Sequence, residues 1–230
     1  MDIPFKFTTT KPAVTQILKH FQWRRHPHVP ELELFSSFDL DELKTMMKDN
    51  GHSWQWPYIW ECGAALARFI LDNPTLVRDK VVYDLGTGQG TALIAAKKAG
   101  AKIAVGVDTC VFSQFTVEVN SERNNAHTLF LKKDILTAKI PDNCVIFASD
   151  LVYGQSTSDV LLEKLYNLSE TSTVIISQSN RPNPRYEITH PSFYKIQDVD
   201  VPVFTPRLEV VNPMPITLYS VGKPLDLVTP

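Results

Sequence analysis

Three of the chain's nine glycines stand within five residues, at positions 86, 88 and 90, where backbone can come close to a ligand. An apolar run that contains Asp84 precedes them, and residues 92–96 (Ala-Leu-Ile-Ala-Ala) follow with helical composition. Glycine has no Cβ, so it permits positive φ and a close approach of the ligand. A strand, a glycine-dense turn and a helix start form the nucleoside-binding unit of a doubly wound α/β sheet. The sequence therefore predicts a nucleoside-binding turn.

The spacing of the glycines and the acid before them bear on which ligand is bound. Nicotinamide, flavin and S-adenosylmethionine enzymes all use glycine-rich loops, but the dinucleotide pattern G-x-G-x-x-G is absent here, because Thr91 stands at the place of its third glycine. The fixed negative charge of Asp84 disfavours a pyrophosphate and suits the ammonium group of an amino-acid-bearing ligand. S-adenosylmethionine carries such a group.

Two further acids follow the next two predicted strands. Asp108 ends the apolar run 103–107, where a carboxylate can accept hydrogen bonds from both ribose hydroxyls, a feature that nicotinamide enzymes share. Asp134 and Ile135 follow the run 128–131, where the carboxylate can accept from an adenine amino group while the neighbouring backbone contacts the ring edge. Ordinary turn or helix-cap aspartates are the alternative. Acids at three successive strand ends favour S-adenosylmethionine.

The ordered set of residues 84–90, Asp108 and Asp134 resembles a seven-stranded (class I) methyltransferase, over residues 54 to about 180. The segment 150–153 (Asp-Leu-Val-Tyr), after an apolar run, is similar to the D-x-x-Y motif of the family 16 protein lysine methyltransferases. Residues 57–66 and 71–74, and the pair Arg181-Pro182, are most similar to the electron-transfer-flavoprotein β-subunit lysine methyltransferase branch.

Two residues depart from the pattern of that branch. Cys110 stands where the branch commonly has another acid, and Gln89 replaces a small or sulfur-containing residue in the loop. The triplet Trp60-Glu61-Cys62 is also similar to the protein histidine methyltransferases, which lack the aspartate of D-x-x-Y. A lysine methyltransferase of another substrate therefore stays open.

The resemblance implies a doubly wound, mostly parallel seven-stranded sheet with a reversed C-terminal strand, which is a Rossmann-like α/β fold. It implies transfer of a methyl group from S-adenosylmethionine, with S-adenosylhomocysteine as product, to the ε-amine of a lysine in a protein substrate. The implied catalytic residues are Asp150 and Tyr153. The implied cofactor-binding residues are Trp60, Asp84, Gly86, Thr87, Gly88, Gly90, Asp108, Asp134 and Ile135.

Asp150 is expected beside the methyl donor, where its carboxylate would hold the incoming ε-ammonium. A lysine with a pKa of about 10.4 is neutral in roughly one side chain in two thousand at pH 7, so proton loss must be assisted. A nearby carboxylate favours the charged amine, so we assign Asp150 recognition and orientation and leave the proton acceptor open. Tyr153 can supply an aromatic wall or a hydrogen bond. A capped turn with a packed aromatic ring is the structural alternative.

Two other classes of function stay open beside lysine methylation. One is methylation of a protein histidine or a small amine, and the other is a non-catalytic module that binds S-adenosylmethionine and interacts with a partner. A nucleic-acid amino-methyltransferase is disfavoured, because the motif is Asp-Leu-Val-Tyr and not the Asn/Asp-Pro-Pro-aromatic sequence that receives a flipped base.

Composition bounds the remaining properties. A chain of 230 residues with 43% hydrophobic content fits one sizeable α/β domain, and a net charge of −2 argues against a nucleic-acid partner. The three cysteines have no metal-type spacing, so no metal is expected, and their odd number suits a reducing compartment. No apolar run reaches membrane-span length. We expect a cytoplasmic monomer; the basic bias of residues 1–30 keeps a mitochondrial location open.

The helix and strand signals divide the chain into two parts. Residues 1–53 form an N-terminal extension, a lid or a brace, with one helix that Asp39 caps and Gly51 ends, and residues 54–230 form the methyltransferase domain. Strands are predicted near residues 81, 103, 128, 144 and 173, with helices at 61–72 and near 158–168, the latter capped by Ser158. Residues 194–203 and 216–221 are predicted as the reversed last strands.

Overall fold

The structure is a computed structural model. It describes residues 19–37, 57–152, 155–180, 188, 190–203 and 213–226. The predicted helix between Asp39 and Gly51 lies outside the described residues, as do Tyr153 and Arg181.

A seven-stranded sheet forms the centre of the molecule. Its strands are β3 (Val81–Leu85), β4 (Ile103–Asp108), β5 (Leu129–Lys132), β6 (Val145–Ser149), β7 (Thr173–Ser179), β8 (Phe193–Val201) and β9 (Met214–Val221), in the spatial order β5-β4-β3-β6-β7-β9-β8. The pairs among β3 to β7 are parallel, while β9 is antiparallel to both β7 and β8. One strand, the C-terminal β9, is therefore reversed, and β8 runs with the others. The predicted fold class is confirmed, although the expectation that both last strands are reversed is wrong for β8.

Four α-helices among the described residues cover the sheet: α1 (Glu61–Asp72), α2 (Thr91–Lys98), α3 (Val111–Arg123) and α4 (Gln155–Ser169). One buried cluster joins α1 and α2 to one face of the sheet, with Leu66, Ile94 and Phe147 among its members. A second cluster joins α4 to the other face through Leu161 and Leu165. Apolar residues on both faces are expected for parallel strands that helices cover on each side.

Helix α4 begins three residues before the predicted start. Ser158 lies inside the first turn and is buried, so its predicted role as N-cap is wrong. The residues Gln155, Ser156 and Thr157 include no glycine or proline, so nothing in the sequence prevents the helix from starting directly after Gly154.

A β-hairpin of β1 (Phe21–His26) and β2 (Val29–Ser37) precedes the sheet and was not predicted. Val29, Leu32 and Leu34 of β2 are fully or almost fully buried and belong to the same cluster as α1 and α2. The hairpin therefore extends the core on that face.

Two asparagines of the α3 end fix the hairpin to the domain. The Oδ1 atom of Asn120 accepts a hydrogen bond from the Phe35 N–H at 2.6 Å, and the Nδ2 atom of Asn124 donates to the Glu33 carbonyl at 2.8 Å. The Asn120 Nδ2 atom also donates to the Gln89 carbonyl at 3.0 Å. One buried amide thus joins the hairpin to the glycine loop.

We expect Asn120→Ala to lower the free energy of unfolding by about 2–3 kcal/mol, because a buried N–H and a buried carbonyl each lose their partner. Urea denaturation measures the change. Asn167→Ala, which removes an exposed asparagine of α4, is the matched control and should change stability by less than about 0.5 kcal/mol. Equal midpoints for the Asn120 variant and the wild type would contradict this prediction.

Candidate active site

The glycine loop lies between β3 and α2, and its backbone takes left-handed conformations. Gly86, Gly88 and Gly90 have φ values of 64°, 54° and 89°. A Cβ atom on Gly86 would lie 2.6 Å from a Leu151 methyl carbon, so a side chain at this position would require the Leu151 side chain to move and would strain the left-handed backbone. The Gly86 and Thr87 N–H groups both donate to the Val107 carbonyl, at 2.8 and 3.2 Å. The loop is therefore tied to the end of β4.

Asp84 lies beneath this loop and is 3% exposed. Its Oδ2 atom accepts a hydrogen bond from the Thr87 hydroxyl at 2.7 Å, and its carboxylate also accepts from the Leu93 N–H. Burial raises the pKa of Asp84 to about 7, although these two hydrogen bonds oppose the rise. The described contacts of this carboxylate are with the loop and with the first turn of α2, and its contact with a ligand ammonium stays a prediction.

The raised pKa of Asp84 predicts a pH-dependent stability. The folded state keeps a proton on Asp84 that the unfolded chain loses above pH about 4. The stabilisation that this proton gives to the folded state is therefore complete below pH 4 and is lost as the pH rises to about 7. Asp84→Asn mimics the protonated acid and should remove the loss, which is at most about 4 kcal/mol. Urea denaturation at pH 5 and pH 7.5 measures it.

His26 also makes the stability depend on pH, but with the opposite sign. Burial lowers the pKa of His26 to about 4, so the free energy of unfolding gains from this residue as the pH rises from 4 to 6.5. This gain is the same in the wild type and in the Asp84 variant. Parallel pH profiles for the two proteins would contradict a buried, protonated Asp84.

Asp108 connects the glycine loop to the start of α3. Its Oδ2 atom accepts from the Gly88 N–H at 3.0 Å, and its Oδ1 atom accepts from the Cys110 N–H at 2.9 Å. Asp134 is exposed, and its Oδ1 atom accepts from the Leu136 N–H at 2.8 Å, while Ile135 is half-buried beside it. Both aspartates thus make the turn contacts of the structural alternative. Each carboxylate oxygen has two acceptor positions, so the same groups can also accept from a ligand.

The predicted acids lie at one edge of the sheet. Strands β5, β4, β3 and β6 are neighbours and run parallel, so their carboxyl ends share that edge. The four aspartates lie within two residues of these strand ends: Asp84, Asp108, Asp134 and Asp150.

Asp150 follows β6 directly and has a φ of 51°, in the left-handed region. Aspartate tolerates this conformation better than most residues, yet it costs free energy and occurs preferentially at functional sites. The Asp150 N–H donates to the Ser177 carbonyl at 2.9 Å, and the Asp150 Oδ1 atom accepts from the Ser179 hydroxyl at 2.9 Å. The side chain is half-buried. These hydrogen bonds to the neighbouring strand β7 therefore fix both the backbone and the side chain of Asp150.

Trp60 caps α1, and its carbonyl accepts from the Ala64 N–H at 3.0 Å. Its half-buried ring packs edge-to-face on Tyr58, with ring centroids 5.0 Å apart. Tyr58 is buried, and its hydroxyl donates to Glu61 at 3.3 Å; burial and then the charge of Glu61 raise the pKa of Tyr58. Tyr58 is thus a packing residue, whereas Trp60 keeps partial exposure. Trp54 and Trp56 lie outside the described residues.

Sequence reasoning assigned no site role to two residues of this region. Gln89 of the glycine loop is 2% exposed, and neither polar atom of its amide has a hydrogen-bond partner. Its unusual identity at this position was the signal, and the sequence interpretation treated it only as a departure from a branch pattern. Ser179 bonds to Asp150, and no sequence pattern indicates that pairing.

The arrangement fits S-adenosylmethionine. A buried amide that lacks both donor and acceptor partners suits a ligand end that carries an ammonium and a carboxylate, and the glycine loop offers backbone without side chains. In the described part of the chain, no cluster of His, Cys, Asp or Glu could hold a metal ion. No helix among the same residues has the length and apolarity needed to cross a membrane.

Comparison with solved structures defines the class of fold. The chain superimposes on the Pyrococcus abyssi tRNA (uracil-54, C5)-methyltransferase, in complex with S-adenosyl-L-homocysteine, with a TM-score of 0.56 at 15% identity, over 88% of this chain and 44% of that one. It superimposes on the ribosomal protein L11 methylase of Lactobacillus delbrueckii subsp. bulgaricus with a TM-score of 0.50 at 22% identity, over 70% of this chain and 79% of that one. Both show the methyltransferase fold.

The family follows from the sequence itself. Residues 39–192, more than half of the chain, match the model of the lysine methyltransferase family, so the chain belongs to this family. It is 31% identical to the electron transfer flavoprotein beta subunit lysine methyltransferase of Rattus norvegicus over 64% of this chain. The aligned part spans 59% of that relative's length. The resemblance to class I and family 16 methyltransferases is confirmed.

Proposed function

We propose that this chain is an S-adenosylmethionine-dependent protein lysine N-methyltransferase. The observation that carries the proposal is the placement of Asp150, in a left-handed conformation at the end of β6, beside the glycine loop after β3. Membership of the lysine methyltransferase family supports the same activity.

In the proposed site, each part of the cofactor contacts residues at a different strand end. Asp108 accepts from the ribose hydroxyls, Asp134 accepts from the adenine amino group, and the Ile135 backbone contacts the ring edge. Asp84 and the loop residues Gly86, Thr87, Gly88 and Gly90 hold the amino-acid end, and Trp60 contacts the cofactor from the start of α1. When bound, S-adenosylmethionine supplies a methyl group on a positively charged sulfur.

The proposed tasks of the chain are alignment of the amine, exclusion of water and assistance to proton loss. Asp150 binds the incoming ε-ammonium and orients its nitrogen, and Tyr153 forms the wall of the pocket. Because a carboxylate favours the charged amine, the hydrogen bond that Asp150 accepts from the Ser179 hydroxyl is important: it draws charge from the carboxylate and so limits how strongly Asp150 holds the amine in its protonated form.

The proposed partner is a protein that carries the target lysine. The relatives' names point to the β subunit of the electron transfer flavoprotein as the first acceptor to test. We propose a monomer that acts in the cytoplasm, with the mitochondrion as the alternative, and no nucleic-acid substrate. We also propose the division into an N-terminal extension (1–53) and a methyltransferase domain (54–230). The burial of Val29, Leu32 and Leu34 supports a brace for the extension.

The test incubates the protein with cofactor labelled in the methyl group and with candidate acceptor proteins, followed by amino-acid analysis of the product. Labelled methyl-lysine is the expected result. Labelled methyl-histidine or a labelled small molecule would replace the proposal with the corresponding methyltransferase. Calorimetric binding of the cofactor without transfer to any acceptor would support the interaction module.

A further inference from the structure

The end of β7 holds the segment that carries Asp150. Strands β6 and β7 pair in parallel up to Ser149 and Ser177, after which β6 ends and β7 continues to Ser179. We propose that Ser179 is a positioning residue for methyl transfer: its hydroxyl fixes the Asp150 carboxylate in the orientation that receives the acceptor amine. This inference rests on the proposed function.

Three hydrogen bonds connect the two segments. The Asp150 N–H donates to the Ser177 carbonyl at 2.9 Å, and the Gln178 side-chain amide donates to the Val152 carbonyl at 3.1 Å. The third bond, from the Ser179 hydroxyl to the Asp150 Oδ1 atom at 2.9 Å, is the one that reaches the carboxylate. The first two fix the backbone on either side of Leu151, and the third fixes the functional group.

Ser179 is well suited to this task, because it lies on a rigid element. It is 6% exposed, and its strand is paired on its other side with β9, where Ser179 faces Ile216. Side chains alternate along a strand, so Ser179 shares a face with Ser177, whose hydroxyl donates to the Cys62 carbonyl of α1. A donor on a paired strand positions its partner more accurately than a donor on a loop.

Asp150 needs such a donor for a physical reason. Asp150 follows the last residue pair of β6 and β7, and its left-handed backbone departs from the strand conformation, so strand alternation does not set its side-chain direction. A hydroxyl that donates to a carboxylate removes its rotamer freedom and replaces a water partner that the arriving substrate would displace.

The test measures methyl-transfer kinetics and cofactor binding for Ser179→Ala. We expect kcat/KM for the acceptor to fall about tenfold, the cost of one hydrogen bond to a charged group, with the cofactor Kd within threefold of wild type. Ser179→Thr should restore most of the activity, and Ser179→Val, which has the shape of threonine without its hydroxyl, should not. The threonine and valine pair keeps the test valid if the alanine variant folds poorly.

A double-mutant cycle separates positioning from general stability. In an Asp150→Ala background, Ser179→Ala should cause less than a twofold further loss, because the hydroxyl acts through the carboxylate. Ser220→Ala is the matched control, because it too removes a buried hydroxyl that donates a hydrogen bond. The acceptor there is the Lys223 carbonyl, and Ser220 lies on β9 beside Ile175, at the opposite end of the sheet. It should leave kcat/KM within twofold of wild type.

The outcomes distinguish the inference from the proposed function. If the wild type transfers no methyl group to any acceptor, the proposed function fails and this inference falls with it. If the wild type is active and Ser179→Ala matches it, or if the losses at positions 150 and 179 multiply, only the positioning role is overturned.

Discussion

Asp150→Ala is expected to lower kcat for methyl transfer by about 100-fold or more, while the Kd for S-adenosylmethionine stays within threefold of wild type. The carboxylate stands at the end of β6, where the proposed acceptor amine meets the methyl donor, and its described hydrogen bond is with Ser179 of β7. Its loss should therefore affect orientation of the amine and not retention of the cofactor. Single-turnover transfer and calorimetry measure the two quantities separately.

Asp150→Asn separates charge from shape. The amide keeps an oxygen that can accept from the Ser179 hydroxyl but lacks the negative charge that binds an ammonium, so we expect a loss between those of the alanine variant and the wild type. Asp142→Ala is the control, because Asp142 is an exposed acid that precedes the start of β6, at the end of the strand opposite Asp150. It should leave methyl transfer unchanged. Full activity of Asp150→Ala would remove this residue from the proposed mechanism.

Asp108→Ala is expected to raise the Kd for S-adenosylmethionine by tenfold to 100-fold, with kcat at saturating cofactor within tenfold of wild type. The substitution removes the proposed ribose contacts together with two hydrogen bonds that the structure shows, from the Gly88 and Cys110 N–H groups. A hydrogen bond to a charged group contributes about 1.5–3 kcal/mol, which corresponds to this range of affinity. Calorimetric titration with S-adenosylhomocysteine measures the change.

The Asp108 and Asp150 variants should thus fail in different ways. The first should weaken cofactor binding and the second should slow transfer. An Asp108 variant with wild-type affinity would show that this carboxylate serves only the turn between β4 and α3, which is the structural alternative.

The sheet could be predicted from sequence because its signals are local. Runs such as residues 81–85 and 145–148 are mainly apolar and contain β-branched residues, and a glycine loop after the first of them identifies the class of fold. Successive parallel strands place their carboxyl ends at one edge, so the acids at those ends could be grouped before any coordinates were known.

The hairpin could have been predicted in part. Charged and apolar side chains alternate over residues 31–34 (Glu-Leu-Glu-Leu), which is a strand signal. Its docking could not be predicted, because Asn120 and Asn124 bind its backbone from about 85 to 91 residues further along the chain. Hydrogen bonds from side chains to distant backbone leave no periodic pattern.

The same reason explains what was missed in the site. Ser179 and Asp150 are 29 residues apart and meet only because β7 continues beyond the end of β6. The burial of the Gln89 amide likewise depends on how the loop packs.

A crystal structure with S-adenosylhomocysteine bound tests the central claim most directly. We predict the ribose hydroxyls within hydrogen-bond distance of Asp108, the adenine amino group at Asp134, and the sulfur directed toward the space in front of Asp150. A ligand bound away from the carboxyl ends of β3 to β6, or a cleft that stays empty at saturating ligand, would contradict the proposed site.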